Sequence, residues 1–296
     1  MYPSEFEYFA PRTIAEAIQL LERYGDDAKV LAGGQSLVPM MKLRIAGPRY
    51  LIDINRIDGL RELRREGDRL MIGALCRHAD IGGSALVRDV LPIMTDAAAL
   101  TADVQVRNRG TVAGSLAHAD PAGDWPAVLA ALDTDVTIAG PAGSRTVPLD
   151  GFIVDAYTTQ LDPREIVVGL SVGIPPQPSG GAYVKFEKRA GDFAVASVGV
   201  QIQLEGPKCS VVAISLGALG PAAIRATQGE QALLGREPSD DLLDETEHLV
   251  REAAQPFADT RGSVEYKRHL AGVLFRRAFA VAFDRAHGRQ VSTIHM

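Results

Sequence analysis

LAGGQSLVPMMKLR, Leu31 to Arg44, sets two adjacent glycines and a serine between an apolar strand-like run and a second apolar run. A Gly-Gly turn leaves consecutive backbone N–H groups without a Cβ in front of them. It can therefore wrap an anion, above all a phosphate, and Ser36 adds a hydroxyl. The pair also reads as a plain strand-to-helix turn, since paired glycines are common turn punctuation. Upstream, Thr13 and Glu16 form a capping box ahead of Ile14, Ala17, Ile18 and Leu21 at helical spacing, and Gly25 offers a left-handed exit. AKVLAGG is then a short buried strand ending in the glycine turn, so the local order is helix, strand, loop.

RNRGTVAGSLAHADPAGDWPAVLAALD, Arg107 to Asp133, holds a second bare segment. Gly110, Thr111, Val112, Ala113, Gly114 and Ser115 make a small-residue loop with two hydroxyls, which serves either as an anion loop or as a close-packed crossing. Behind it a helix begins with Asp124 as N-cap and Pro126 in its first turn. Two such loops suit a diphosphate better than one. The loops are of no standard phosphate-binding type, because the chain has no G-x-G and no G-x-x-x-x-G-K-[ST]. Ser36 is not a nucleophile elbow, since Val38 stands where glycine is required. Ser115, His118 and Asp120 match a triad in residue type, but triad members converge from separated segments.

Outward from these loops, RYLIDINRI, DRLMIGALC, TDVTIAG and EIVVGLSVGI read as strands and LPIMTDAAALTA as a helix. PPQPSGG, Pro175 to Gly181, cannot continue a helix or a central strand, and it divides the chain into domains over 1–175 and 176–296. Beyond it YVKFEKR and AVASVGVQIQL flank the turn AGDF, and SVVAISLGAL follows. Val198, Val200, Ile202 and Leu204 alternate with Ser197, Gly199, Gln201 and Gln203, which predicts a half-buried antiparallel strand. Leu242, Thr246, Leu249 and Ala253 mark one closing helix, and Leu270, Leu274, Ala278 and Val281 another. The second domain is thus α+β. The basic residues Lys267, Arg268, Arg276 and Arg277 read as a solvated helix face.

A net charge of −6, from 31 Lys and Arg against 37 Asp and Glu, argues against a nucleic-acid partner. Cys76 and Cys209 stand far apart and read as buried structural thiols. His78, His118, His248, His269, His287 and His295 have no ligand spacing, so no metal site is expected. No signal peptide and no apolar run of roughly 18 residues is present, which predicts a soluble, cytoplasmic protein.

AGGQSLVPMMKLR, RNRGTVAGSLAHADPAGDWPAVL and KRAGDFAVASV, in that order and at these separations, resemble the FAD-binding medium subunit of the molybdenum hydroxylases, most closely the carbon monoxide dehydrogenase medium chains. The resemblance covers essentially the whole chain. It implies an FAD-binding domain of the PCMH/vanillyl-alcohol-oxidase type, built from two α/β subdomains, followed by a C-terminal α+β domain with an antiparallel sheet. By this resemblance Ala32, Gly33, Gly34, Gln35 and Ser36 line the FAD pyrophosphate from one side. Gly110, Thr111, Val112, Ala113, Gly114 and Ser115 close on it from the other. Asp124, Leu161, Lys185 and Phe193 are further FAD positions. Gln35 stands where histidine or asparagine is common, Ser115 where asparagine is common, and Phe193 where tyrosine is frequent.

With no histidine or cysteine in the loops, the FAD is expected to be non-covalent. Two distant cysteines cannot hold an iron–sulfur cluster. The implied role is electron transfer from [2Fe–2S] clusters on a small partner subunit, fed by molybdopterin on a large one, to an external acceptor, in a dimer of heterotrimers. Alternatives are a stand-alone flavin oxidoreductase of the same superfamily and a flavin-free nucleotide-binding scaffold.

Overall fold

In the computed structural model, which describes residues 2–293, the chain opens with β1 (Glu7–Phe9), α1 (Ile14–Tyr24), β2 (Ala28–Leu31), α2 (Leu37–Lys42) and β3 (Tyr50–Asp53). The strands pair in parallel in the order β1-β3-β2, with α1 and α2 in the connections that a parallel sheet requires. Thr13 caps α1 by accepting the Glu16 N–H at 3.1 Å, and Ala17, Ile18 and Leu21 are its buried face. The Glu16 carboxylate reaches the Arg12 N–H instead of closing the reciprocal bond to Thr13. Gly25 ends the helix with φ +52°.

A second α/β subdomain follows. It contains β4 (Leu63–Glu66), β5 (Arg69–Gly73), α3 (His78–Gly83), α4 (Ala85–Val90), α5 (Pro92–Leu100), α6 (Val104–Arg107), α7 (Val112–His118), α8 (Asp124–Ala130), β6 (Thr134–Gly140), β7 (Gly143–Pro148), β8 (Ile153–Asp155), β9 (Thr158–Thr159) and β10 (Ile166–Gly173). Its sheet is antiparallel throughout, in the order β4-β5-β10-β6-β7. The two subdomains share one apolar core, from Ala17 and Ile52 through Leu70 and Ile72 to Trp125 and Phe152.

The C-terminal part is α+β: β11 (Ser179–Phe186), β12 (Ala196–Glu205), β13 (Lys208–Gly217) and β14 (Ile224–Arg225) form an antiparallel sheet in sequence order. With it come α9 (Thr227–Leu233), α10 (Asp240–Ala253) and α11 (Val264–Ala286). Val198, Val200, Ile202 and Leu204 join Leu274, Phe275, Ala278 and Val281 of α11 in a second core.

Three expectations are corrected here. The PPQPSGG segment breaks only through its prolines, because Ser179, Gly180 and Gly181 are already β11. A Cβ on Gly180 would lie 2.0 Å from the Ala282 carbonyl oxygen, so glycine lets α11 pack directly onto the strand backbone. Strand β12 is buried on both faces rather than half-buried. Its polar face, with Ser197 and Gln201, is covered by α5 and α8, and Ser215 on the neighbouring strand donates to the Ala127 carbonyl of α8 at 2.5 Å. Finally, Lys267 is not part of a solvated face: its side chain is buried, ion-paired to Asp259 at 2.9 Å and donating to the Phe257 carbonyl.

The C-terminal sheet is fastened to the rest through buried charge. Arg285 on α11 makes a bidentate pair with Asp96 on α5, at 2.6 and 3.0 Å, and Asp96 also accepts the Tyr183 N–H at 3.2 Å. Cys76 and Cys209 are free and buried, and burial pushes both thiols up to about 11. No helix among the described residues is long and apolar enough to cross a membrane, and none of their His, Cys, Asp and Glu side chains group as metal ligands. His295 lies outside the described residues.

Candidate functional site

The first glycine loop leaves β2 and enters α2. Its start is held by Asn55, whose side-chain amide donates to the Ala32 carbonyl at 2.8 Å and is itself fixed by Asp53 at the end of β3. Gly34 adopts φ +73°, a left-handed conformation that β-carbon-bearing residues rarely take. Gly33 is bare for a different reason. A Cβ there would stand 2.3 Å from the Arg109 carbonyl oxygen and 2.7 Å from Gly110 Cα, so the two loops meet backbone on backbone.

The second loop is anchored on α3 and α7. His78 N–H donates to the Gly110 carbonyl at 3.0 Å, and Val112 N–H to the Cys76 carbonyl at 3.2 Å. Thr111 caps α7 by accepting the Gly114 N–H at 3.1 Å. A Cβ on Gly110 would strike His78 Nε2, at 2.6 Å. Gly114 differs: apart from the capping Thr111 side chain, space beyond it is open. Among the described residues the N–H groups of Gly33, Gly34, Gln35, Ser36 and Leu37 find no protein acceptor, nor does that of Ala113 in the first turn of α7. The Ser36 hydroxyl makes no capping bond either. Such a row of free donors is what an anion binds.

Between the loops runs a cleft of about 680 Å³, within the roughly 300–1,000 Å³ of cofactor pockets. Ala32, Gly33, Gly34, Gln35 and Ser36 line it from one side. Gly110, Thr111, Ala113, Gly114 and Ser115 line it from the other, and Asp124, Leu161 and Phe193 also border it. Val112 does not, because its side chain is packed in the core. Lys185 is not at the wall either: it is buried and ion-paired to Asp124, 3.2 Å away.

Asp124 corrects another expectation. Gly123 is the N-cap of α8, and Asp124 is the first helical residue, its carboxylate making no capping bond. Instead it accepts from the Tyr183 hydroxyl at 2.7 Å and pairs with Lys185, which also donates to the Leu100 carbonyl at 2.7 Å. Burial pushes the Asp124 carboxyl up while the Lys185 ammonium pulls it back, and burial raises the Tyr183 phenol well above its ordinary value. A buried carboxylate is tolerable only with such partners.

Several cleft residues had no local signal in the sequence. His78 is buried and stacked on Trp125, ring centroids 5.6 Å apart, and desolvation lowers its imidazole to about 4. Tyr157, left-handed at φ +56°, rests its ring 5.3 Å from His118. Burial, then the Asp120 carboxylate, push its phenol up. Asp120 accepts the Ala122 N–H at 2.9 Å, and no hydrogen bond among the described residues links it with Ser115 and His118 as a triad would. Gly191 and Asp192, beside Phe193, also line the cleft, and AGDF was the one turn whose position could have pointed to them.

A family model described as "FAD binding domain in molybdopterin dehydrogenase" matches residues 4–177, and one described as "CO dehydrogenase flavoprotein C-terminal domain" matches residues 181–282. The carbon monoxide dehydrogenase medium chain of Hydrogenophaga pseudoflava is 41% identical over 96% of this chain and 99% of its own. Subunit alpha of the 6-hydroxypseudooxynicotine dehydrogenase complex of Paenarthrobacter nicotinovorans is 37% identical over the full length of both. Among solved structures, a chain of the Hydrogenophaga pseudoflava carbon monoxide dehydrogenase lacking the Mo-pyranopterin moiety superposes with a TM-score of 0.94 at 42% identity, covering 96% of this chain and 99% of that one.

Proposed function

We propose a function on one established premise: the chain belongs to the family of FAD-binding medium subunits of the molybdenum hydroxylases. It is the flavoprotein subunit of a multi-subunit molybdenum-containing oxidoreductase. It holds FAD non-covalently, takes electrons from the [2Fe–2S] clusters of a small partner subunit and passes them to an external acceptor. Molybdopterin and substrate belong to a large partner subunit, and the assembly is a dimer of heterotrimers.

The observation that carries this reading is the pair of loops in backbone contact, with free N–H groups from Gly33 to Leu37 bordering one cleft. A pyrophosphate fits that donor set: the loops bring amides and hydroxyls and no carboxylate of their own. The open space in front of Gly114 leaves the second loop equally accessible. When bound, the flavin exchanges electrons between one-electron carriers and an acceptor.

The residues of this chain bind and orient it. Ala32, Gly33, Gly34, Gln35 and Ser36 take one side of the pyrophosphate, and Gly110, Thr111, Ala113, Gly114 and Ser115 the other. Val112 holds the second loop in place, its N–H on the Cys76 carbonyl and its side chain in the core. Leu161 packs on the cofactor, and Phe193 covers the ring system from the C-terminal sheet. Asp124 accepts a cofactor hydrogen bond, and Lys185 acts behind it, keeping that carboxylate charged and aimed. His78, held neutral by burial, supports Gly110 by shape.

The test is purification from native cells, with a visible spectrum before and after heat release of the flavin. Yellow protein releasing FAD and co-purifying with iron–sulfur and molybdopterin chains supports the proposal. A yellow chain that is alone and turns over substrate favours a self-sufficient oxidoreductase, and a colourless assembly that cannot be reconstituted favours the flavin-free scaffold.

A further inference from the structure

Glu187 follows the last residue of β11 and has no place in the binding set described above. Its two carboxylate oxygens face different parts of the molecule. Oε2 lies 3.0 Å from Lys185 Nζ, the ammonium that holds Asp124. Oε1 accepts the N–H of Gly191 at 3.1 Å. Gly191 has φ +87°, and a Cβ on it would lie 3.3 Å from the Ala102 carbonyl, so this turn sits tightly against the segment between α5 and α6. Gly191, Asp192 and Phe193 all border the cleft.

At its base the hairpin is closed by the Val195 N–H on the Phe186 carbonyl, at 2.8 Å. Nearer the tip a turn bond joins the Asp192 N–H to the Arg189 carbonyl, at 3.0 Å. The Glu187 carboxylate adds the link from the turn to the buried Asp124–Lys185 pair.

We infer that Glu187 is a positioning residue for the bound flavin. It fixes the loop bearing Phe193 against the cleft, and its charge, added to that of Asp124, leaves the Asp124–Lys185–Glu187 cluster beside the cleft with a net negative charge. The inference rests on the flavin reading of the cleft. Two physical consequences separate its roles. The loop contact needs only an acceptor oxygen, which an amide also supplies. The electrostatic role needs the negative charge. Removing that charge leaves the surroundings of the cleft less negative, and electrons are then more readily added to a group lying there.

The experiment uses the assembled enzyme purified from cells that make its natural partners, comparing wild type with Glu187→Gln and Glu187→Ala. FAD content and dissociation constant are read by fluorescence of released flavin, and the flavin midpoint potential by spectroelectrochemical titration. Glu187→Gln keeps FAD near the wild-type level but moves the potential in the positive direction. Glu187→Ala also weakens FAD retention, by about tenfold, as loss of a charge-assisted hydrogen bond requires. A wild-type potential in Glu187→Gln, or wild-type FAD retention in Glu187→Ala, overturns the inference. Wild-type assembly without FAD would instead overturn the reading of the cleft itself, leaving the two failures distinguishable.

Discussion

Replacing Gly33 with alanine tests the loop contact directly. The backbone at Gly33 is not left-handed, so alanine meets no conformational penalty, and the entire effect is steric. The new methyl carbon would stand 2.3 Å from the Arg109 carbonyl oxygen, 2.7 Å from Gly110 Cα and 2.9 Å from the Arg109 carbonyl carbon. None of these is a side chain that can rotate aside, so the loops must part by about 1 Å to reach ordinary contact. Overpacking of this kind costs about 1–3 kcal/mol, and backbone neighbours put it at the upper end. The corresponding fall in Tm is about 5 °C.

The same displacement moves one row of N–H donors beyond hydrogen-bond reach of a phosphate held by the other. Losing two such bonds weakens FAD binding roughly a hundredfold. Differential scanning calorimetry and flavin quantitation on the assembled enzyme measure both effects. Gly114→Ala is the control. It gains helix propensity but crowds the capping Thr111 hydroxyl, 2.6 Å from the new Cβ, and these nearly cancel in stability, while the methyl group faces the cleft. A Gly33→Ala enzyme with full FAD content and unchanged Tm would refute the reasoning about both loops.

His78 predicts an acid-side loss of stability. Its folded imidazole is lowered to about 4 by desolvation, and the unfolded chain takes up its proton first as pH falls from its ordinary 6.5. Stability is therefore full above about pH 6.5 and declines by about 3 kcal/mol by pH 4. Replacing His78 with leucine flattens this part of the Tm-versus-pH curve, and an unchanged slope would show that another group is responsible. Both thiols should resist a disulfide reagent at pH 8 in the native protein and react together in guanidinium, because Cys76 and Cys209 are buried and raised to about 11. Fast labelling of either in the native state contradicts that burial.

Local chemistry was legible in the sequence wherever a short segment is self-sufficient. The α1 cap at Thr13, the positive-φ exit at Gly25, the strand ending at Leu31, the terminal helices and the two small-residue loops all rest on neighbours within a few residues. Backbone conformation is set there by local sterics and capping, which a linear reading can reach. The order of the three motifs then made the family recognisable.

What tertiary structure alone decided is what lies against each segment. Sequence alternation predicted one wet face for β12, but α5 and α8 dry it, since a strand's second face is polar only when nothing packs on it. Asp124 had the right position for a cap, yet Tyr183 and Lys185, about sixty residues away in the chain, take its carboxylate. Lys267 reads as solvent-facing in the sequence, but Asp259 and the Phe257 carbonyl enclose it. Gly33 could be read as a turn or as an anion loop. Its close approach to Arg109 and Gly110 is a third cause, invisible from either segment because the two loops are far apart in the chain and meet only when it is folded. Composition and local pattern fixed the elements, whereas long-range burial assigned each charge its partner, because a charge removed from water must find one wherever the fold brings it.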